Sequence, residues 1–256
     1  MAGSVPIVFV ACGTPELALD PRRGAELGAW ASSLPRPRAI LCVSHGWATS
    51  LPTRGTTSRP RLLADGAPHV GAEVRYDAPG APDLAADLHA IARVERDPTR
   101  GWDWGVWAPL VHMFPRADVP VLQLSLIEGA TPRRLFGLGR RIGVLAAQGV
   151  LVVASGAITR EAGRVDASTR DAPAPSWARE FDGWCANLLA DAEIEELLAF
   201  RATGPGARLA HPGTSRYLDP LFVAAGAASL YEHAVGFPVR GFEYGGISTR
   251  CVQFGR

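Results

Sequence analysis

The residues with the strongest chemistry in this chain stand directly after apolar runs. "PIVFVA" (6–11) leads to Cys12, "AILCVS" (39–44) to His45, and "VLVVAS" (150–155) to "GAITRE" with Arg160 and Glu161. A fourth run, "PVLQLSL" (120–126), leads only to "IEG" with Glu128. A thiol can act as nucleophile or base once deprotonated, and an imidazole moves protons near neutral pH. A guanidinium has no lone pair and keeps its charge, so Arg160 can ligate no metal but can hold a carboxylate, a phenolate or a developing enolate. Each residue has a plainer alternative. Cys12 can be a small buried hydrophobe, and Arg160 can be tied up in a salt bridge with Glu161 or another acid.

The four runs have strand length and read as strands covered on both faces. Between and after them lie segments with helical spacing, over 15–34, 82–94, 132–149 and 177–200, the last the longest. Asp83 in a first turn and Pro132 at a helix start support two of these. The ending "PVRGFEYGGISTRCVQFG" (238–255) alternates and reads as a closing hairpin. Strands and helices alternating without a long linker predict one three-layer α/β/α domain over residues 1–256, with a mixed, largely parallel sheet. Such sheets place sites where strand C-termini deliver loops, and Cys12, His45 and Arg160 occupy those positions.

Composition sets the outer limits. The chain has 256 residues, 47% hydrophobic and 20% charged, with net charge +1. That balance gives no field for nucleic acid or an anionic membrane. All 26 basic residues are arginine, so lysine Schiff-base chemistry is excluded. Four dispersed cysteines with no C-x-x-C pair, and an N-terminal apolar run too short to span a bilayer, point to a cytoplasmic protein. Nothing in the composition speaks against a homodimer.

Taken in order, "CGTPE", "LPRPRAILCVSHGW", "YDAPGAPDLA", "GWDWGVWAPLVHMFPRADVPVLQLSL", "VLVVASGAITRE", "RYLDPLFVAAGAA" and "FEYGGISTRCVQFG" resemble the class III extradiol ring-cleavage dioxygenases, LigB-like, of the DOPA-dioxygenase type. The resemblance spans nearly the whole chain. It implies an α/β domain whose loops bind one non-haem iron or zinc and open catechols with O2. The departures fall on the site. Cys12 stands in a histidine's place in "ACGTP". "SHGW" puts Gly46 at a ligand position, with His45 one residue early. "GAITRE" puts Arg160 at the next, Tyr217 replaces a later histidine, and Trp104 replaces the acid/base histidine in "DWG".

Five changed positions on a retained scaffold lead us to expect no metal and no other cofactor. The expected function is a metal-independent enzyme acting on a phenolic, aromatic or polyketide-like small molecule, of the kind found in secondary metabolism. It would work by acid/base and oxyanion catalysis, through cyclisation, tautomerisation, hydrolysis or decarboxylation. Arg160, His45, Tyr217 and Cys12 are the expected catalytic residues, and Trp104, Trp47, Glu161 and His211 the expected substrate contacts. His45 is expected to reach the pocket because strict alternation relaxes in a loop. Asp103, Glu128 and Glu243 are possible bases that spacing does not single out, and His112 reads as a core histidine. Two alternatives stand beside this: a non-catalytic ligand-binding or partner protein, and a dioxygenase with a site rebuilt from Cys12, His45 and Glu161.

Overall fold

Successive residues of the apolar runs face two different cores. The computed structural model describes residues 5–64, 67–160, 169–232 and 234–255. In β1 (Ile7–Ala11), Ile7 and Phe9 join one cluster while Val8 and Val10 join the other. The same split occurs in β2 (Ala39–Thr49), with Leu41 and Val43 against Ile40 and Cys42. It recurs in β6 (Val150–Gly156), with Val152 and Ala154 against Leu151 and Val153. This is the period-2 geometry of a strand covered on both sides. At about 1.5–3 kcal/mol per fully buried aliphatic side chain, these strands contribute much of the stability.

The main sheet also contains β3 (Thr53–Gly55), β4 (Glu95–Asp97), β5 (Val121–Ile127), β7 (Val235–Gly236) and β10 (Val252–Phe254), in the order β4–β3–β5–β2–β6–β1–β10–β7. The central strands β5, β2, β6 and β1 run parallel; β3, β10 and β7 bring in antiparallel pairings. This is the expected mixed, largely parallel sheet between helical layers. One layer holds α1 (Pro21–Ser32), α2 (Pro68–Glu73) and α4 (Trp104–Met113). The other holds α3 (Pro82–Ala92), α5 (Pro132–Ile142), α6 (Ser176–Ala190) and α10 (Asp219–Ala228), with the short α7 (Ile194–Leu198), α8 (Phe200–Thr203) and α9 (Ala207–Ala210). Side chains start three of the helices: Asp20 accepts from the N–H groups of Arg22 and Arg23, Asp103 from Gly105, and Thr131 from Arg134.

Several boundaries differ from the sequence expectation. The 15–34 segment is a 3₁₀ turn (Pro15–Leu19) and then α1, because Asp20 leaves the helix to cap the second part. The long 177–200 helix ends at Ala190. Ala192 takes φ +58°, which a helix cannot accommodate, and α7 and α8 follow as separate turns. The 132–149 segment finishes as a 3₁₀ turn over Gly143–Gln148. The closing segment is partly the expected hairpin, β8 (Phe242–Glu243) with β9 (Ile247–Ser248), after which β10 pairs antiparallel with β1.

Candidate active site

The site is built on a distortion of β2. Val43 pairs with Leu124 and Ala48 with Leu126, so β2 advances five residues (43 to 48) where β5 advances two (124 to 126). The surplus bulges out through Ser44, His45, Gly46 and Trp47. A bulge re-aims a side chain that regular alternation would bury in a layer, and here it turns His45 into a cleft of about 250 Å³. Gly46, Asp103, Trp104, Arg216 and Tyr217 complete its walls.

His45 is held from several sides. Its ring centroid lies 4.4 Å from that of Trp104 in an edge arrangement and 4.4 Å from that of Tyr217. Its Nδ1 is 3.6 Å from the Sγ of Cys12, which follows β1, and that sulfur is 3.2 Å from the Gly156 carbonyl at the end of β6. The His45 carbonyl accepts a hydrogen bond from Arg216 Nε. Burial pushes the imidazole down to about 4. Arg160 and Arg216 add to this and Asp103 opposes it, so His45 is neutral at neutral pH. Burial raises the Tyr217 phenol, partly offset by Arg160, so it is a proton donor.

Arg160 stands early in the connection after β6, four residues beyond Gly156. Its Nε donates to the Gly13 carbonyl at 2.9 Å. Its guanidinium carbon lies 4.2 Å from the Tyr217 ring centroid and 5.9 Å from that of Trp104, a cation against two aromatic faces. Gly156 makes this assembly possible. A Cβ there would come within 2.0 Å of the Tyr217 carbonyl, which instead accepts the Ala157 N–H at 2.8 Å. The end of β6 and the approach to α10 are thus clasped backbone to backbone.

The buried carboxylate of Asp103 forms part of the cleft wall. It accepts the Ser44 hydroxyl at 2.9 Å, the Gly105 N–H at 3.0 Å, Arg100 at 3.0 Å and the Gln123 amide. A Cβ on Gly46 would lie 2.4 Å from its Cγ. The carboxylate therefore fills the space that a side chain at position 46 would need.

The expected residues separate into groups. His45, Tyr217 and Trp104 line the cleft, and Arg160 packs on two of them. Cys12 is fully buried behind His45, and burial pushes its thiol up to about 12, so it presents no thiolate to a ligand. The expectation of Cys12 as a nucleophile is corrected on that ground. Trp47 does not line the cleft. It stacks under Arg100, 4.8 Å from the ring centroid, and so supports the Asp103 network. The expectation for His211 is also corrected. It is buried against Phe181 and Phe200 with its Nε2 2.9 Å from the Ile158 carbonyl, and it serves as a core histidine. Glu161 lies outside the described residues. Of the possible bases, only Asp103 is at the site; Glu243 is paired with Arg170 and Glu128 is exposed. Sequence reasoning missed Arg216, Arg100, Ser44 and Gln123. Gln123 did carry a signal, an amide inside the otherwise apolar run "PVLQL".

Among the described residues, which do not include Glu161, the donor set does not fit the iron or zinc that the resemblance implies. Such an ion needs three or four N, O or S donors converging at about 2 Å. Cys12 and His45 are two, and the described residues bring no cluster of three His, Cys, Asp or Glu together anywhere. The third expected ligand position holds the permanently cationic Arg160.

A two-sided α/β sheet with a polar cleft at its strand ends defines a class of enzyme-like scaffold, and sequence comparison narrows it. Residues 22–254 match the family model described as the catalytic LigB subunit of aromatic ring-opening dioxygenase, and the chain belongs to that family. It is 33% identical to the 4,5-DOPA dioxygenase extradiol of Escherichia coli K12, over 98% of this chain and 95% of that protein. It is 34% identical to the enzyme of the same name from Beta vulgaris, over 86% and 85%. Dioxygenase tasH of Hapsidospora irregularis is 30% identical over 90% and 80%. A crystal structure of an uncharacterized E. coli K12 protein superposes with a TM-score of 0.82 at 28% identity, covering 98% of this chain and all of that one. Among the described residues no helix is long and apolar enough to cross a membrane.

Proposed function

We propose that the chain is an enzyme that acts on a phenolic or other aromatic small molecule without a metal ion. The aromatic character of the substrate is carried over from the named relatives. The single observation that carries the reading is Arg160, a fixed cation packed on Tyr217 and Trp104 where a ligand histidine would be expected.

In this reading the ring of the substrate lies against Trp104. His45 is neutral at physiological pH but, with a pKa of about 4, only a weak base, so it accepts a proton from carbon or oxygen only as Arg160 and Arg216 stabilise the oxyanion that forms. The negative charge that develops on a substrate oxygen is met by Arg160 and Arg216, with the Tyr217 hydroxyl as donor. A positioned base contributes about 10²–10⁴-fold, and preorganised charge adds to it. This chemistry suits tautomerisation or the cyclisation, decarboxylation and hydrolysis steps that pass through an enolate.

The test is turnover and binding across a panel of phenols and aromatic keto acids, with chelator present and O2 removed. A change in intrinsic fluorescence on ligand addition that is lost in Trp104→Phe reports occupancy, since the chain has seven tryptophans. Persistence of both, with loss of turnover in Arg160→Gln and His45→Gln, is the expected result. Ring opening that requires added Fe(II) and O2 would overturn the proposal. Binding without turnover of any panel member, unaffected by either variant, would instead favour a ligand-binding protein.

A further inference from the structure

The mechanism above leaves Cys12 without a task, yet it is the group nearest the ring nitrogen of His45. We propose that Cys12 is a positioning residue that fixes His45 in the tautomer protonated on Nδ1, leaving the Nε2 lone pair as the base of the site. This rests on the reading of His45 as the proton acceptor.

The inference follows from counting one hydrogen. A thiol has a single S–H, whose acceptors by distance are the Gly156 carbonyl at 3.2 Å and His45 Nδ1 at 3.6 Å; the Ser155 hydroxyl also reaches the sulfur and, as a donor, uses one of its lone pairs. The carbonyl is the closer, and a sulfur facing that oxygen at 3.2 Å with only lone pairs would be repelled. The same oxygen accepts the Cys12 N–H at 2.9 Å, so its two lone pairs are matched by two donors. With the S–H so directed, only sulfur lone pairs face Nδ1, which must then carry the ring proton. Which nitrogen of a histidine is protonated is set by the hydrogen bond that the other makes.

Further observations agree. Arg160 and Arg216 disfavour a second proton on the ring, so the imidazole is neutral and has one nitrogen bare. The charged and titratable groups facing the ring are Cys12, Asp103, Arg160, Arg216 and Tyr217. Burial raises the thiol and lowers the imidazole, so both groups favour the neutral pair over a thiolate–imidazolium pair. Trp104 and Tyr217 packed on the ring oppose a ring flip. In the proton-transfer step Nε2 takes the substrate proton, the electron pair of the broken bond moves to the substrate oxygen, and Cys12 stays a thiol throughout.

The test needs no substrate. Two-bond ¹H–¹⁵N spectra of the ¹⁵N-histidine-labelled chain at pH 7 report the tautomer, with His45 assigned by its loss in His45→Gln. The expected pattern has a bare Nε2 and a protonated Nδ1. Cys12→Ser should keep it, because a hydroxyl can donate to Gly156 and accept from Nδ1. Cys12→Ala should shift the Nε2 resonance towards that of a protonated nitrogen. A protonated Nε2 in the unmodified chain overturns the inference, even if neither variant folds, as does a tautomer unchanged in folded Cys12→Ala. Turnover with Nε2 protonated would defeat this inference and leave the proposed function standing. The expected tautomer in a chain with no activity would do the reverse.

Discussion

Replacing Gly46 with alanine should destabilise the chain far more than adding one methyl group suggests. The new Cβ would sit 2.4 Å from both Cγ and Oδ1 of Asp103. That carboxylate cannot step aside cheaply, because Ser44, Gly105, Arg100 and Gln123 all hold it and it is 3% exposed. Overpacking a tight interior costs about 1–3 kcal/mol, and pulling a buried carboxylate off its partners costs about 3–5 kcal/mol. A compromise between the two gives a loss of about 3 kcal/mol. For a chain of this size each kcal/mol moves the midpoint about 2–4 °C, so thermal denaturation should show Tm falling by about 6–12 °C. Gly183→Ala in α6 is the control. No atom lies within 4 Å of its added Cβ, and alanine in a helix is better than glycine by about 1 kcal/mol. A Gly46→Ala variant melting within about 2 °C of the parent would refute the reasoning. It would also show that position 46 still has room for a side chain.

His45 and His211 are both pushed down to about 4 by burial, so the unfolded chain binds protons near pH 6.5 before the folded chain does. These groups leave stability flat above pH 6.5 and lower it as pH falls towards 4, by about 2 kcal/mol each at pH 5. Urea denaturation at pH 7 and pH 5 should show the drop shrinking by about that amount in His45→Gln; an unchanged drop contradicts it. All four cysteines are buried and their thiols raised. A thiol reagent at pH 8 should therefore label none in the native chain and four in denaturant, and rapid native labelling of Cys12 would count against its placement. Asp182 is buried and accepts Ser248 and two guanidinium nitrogens of Arg250. Arg250→Ala should cost about 3 kcal/mol by stranding that charge, and Asp182→Asn added to it should restore part of the loss. A double variant no more stable than the single one would show the charge was not stranded.

The sheet was legible because its strands are short apolar runs whose residues must face two cores, a pattern that periodicity records directly. Helix ends were less so. Asp20 and Ala192 interrupt helical spacing through backbone conformation, which apolar periodicity does not register. In the candidate site, the runs pointed to one sheet edge, and His45, Arg160, Tyr217 and Trp104 are neighbours there. Their depth was not readable. Cys12 and His45 are adjacent across 33 positions, yet only the packing shows the thiol behind the ring. The same holds for His211, whose loop passes the site while its ring turns into the core between Phe181 and Phe200. Arg216 was hidden for another reason, since an arginine one residue from Tyr217 looks like any surface cation until its neighbour's position is known.

Metal analysis of the purified chain, before and after loading with Fe(II) or Zn(II) and desalting, bears most directly on whether a guanidinium has taken over from an ion. The account predicts far less than one equivalent retained in either state, with no rise in Tm on loading. One tightly held equivalent per chain, lost on Cys12→Ala or His45→Ala, would contradict it.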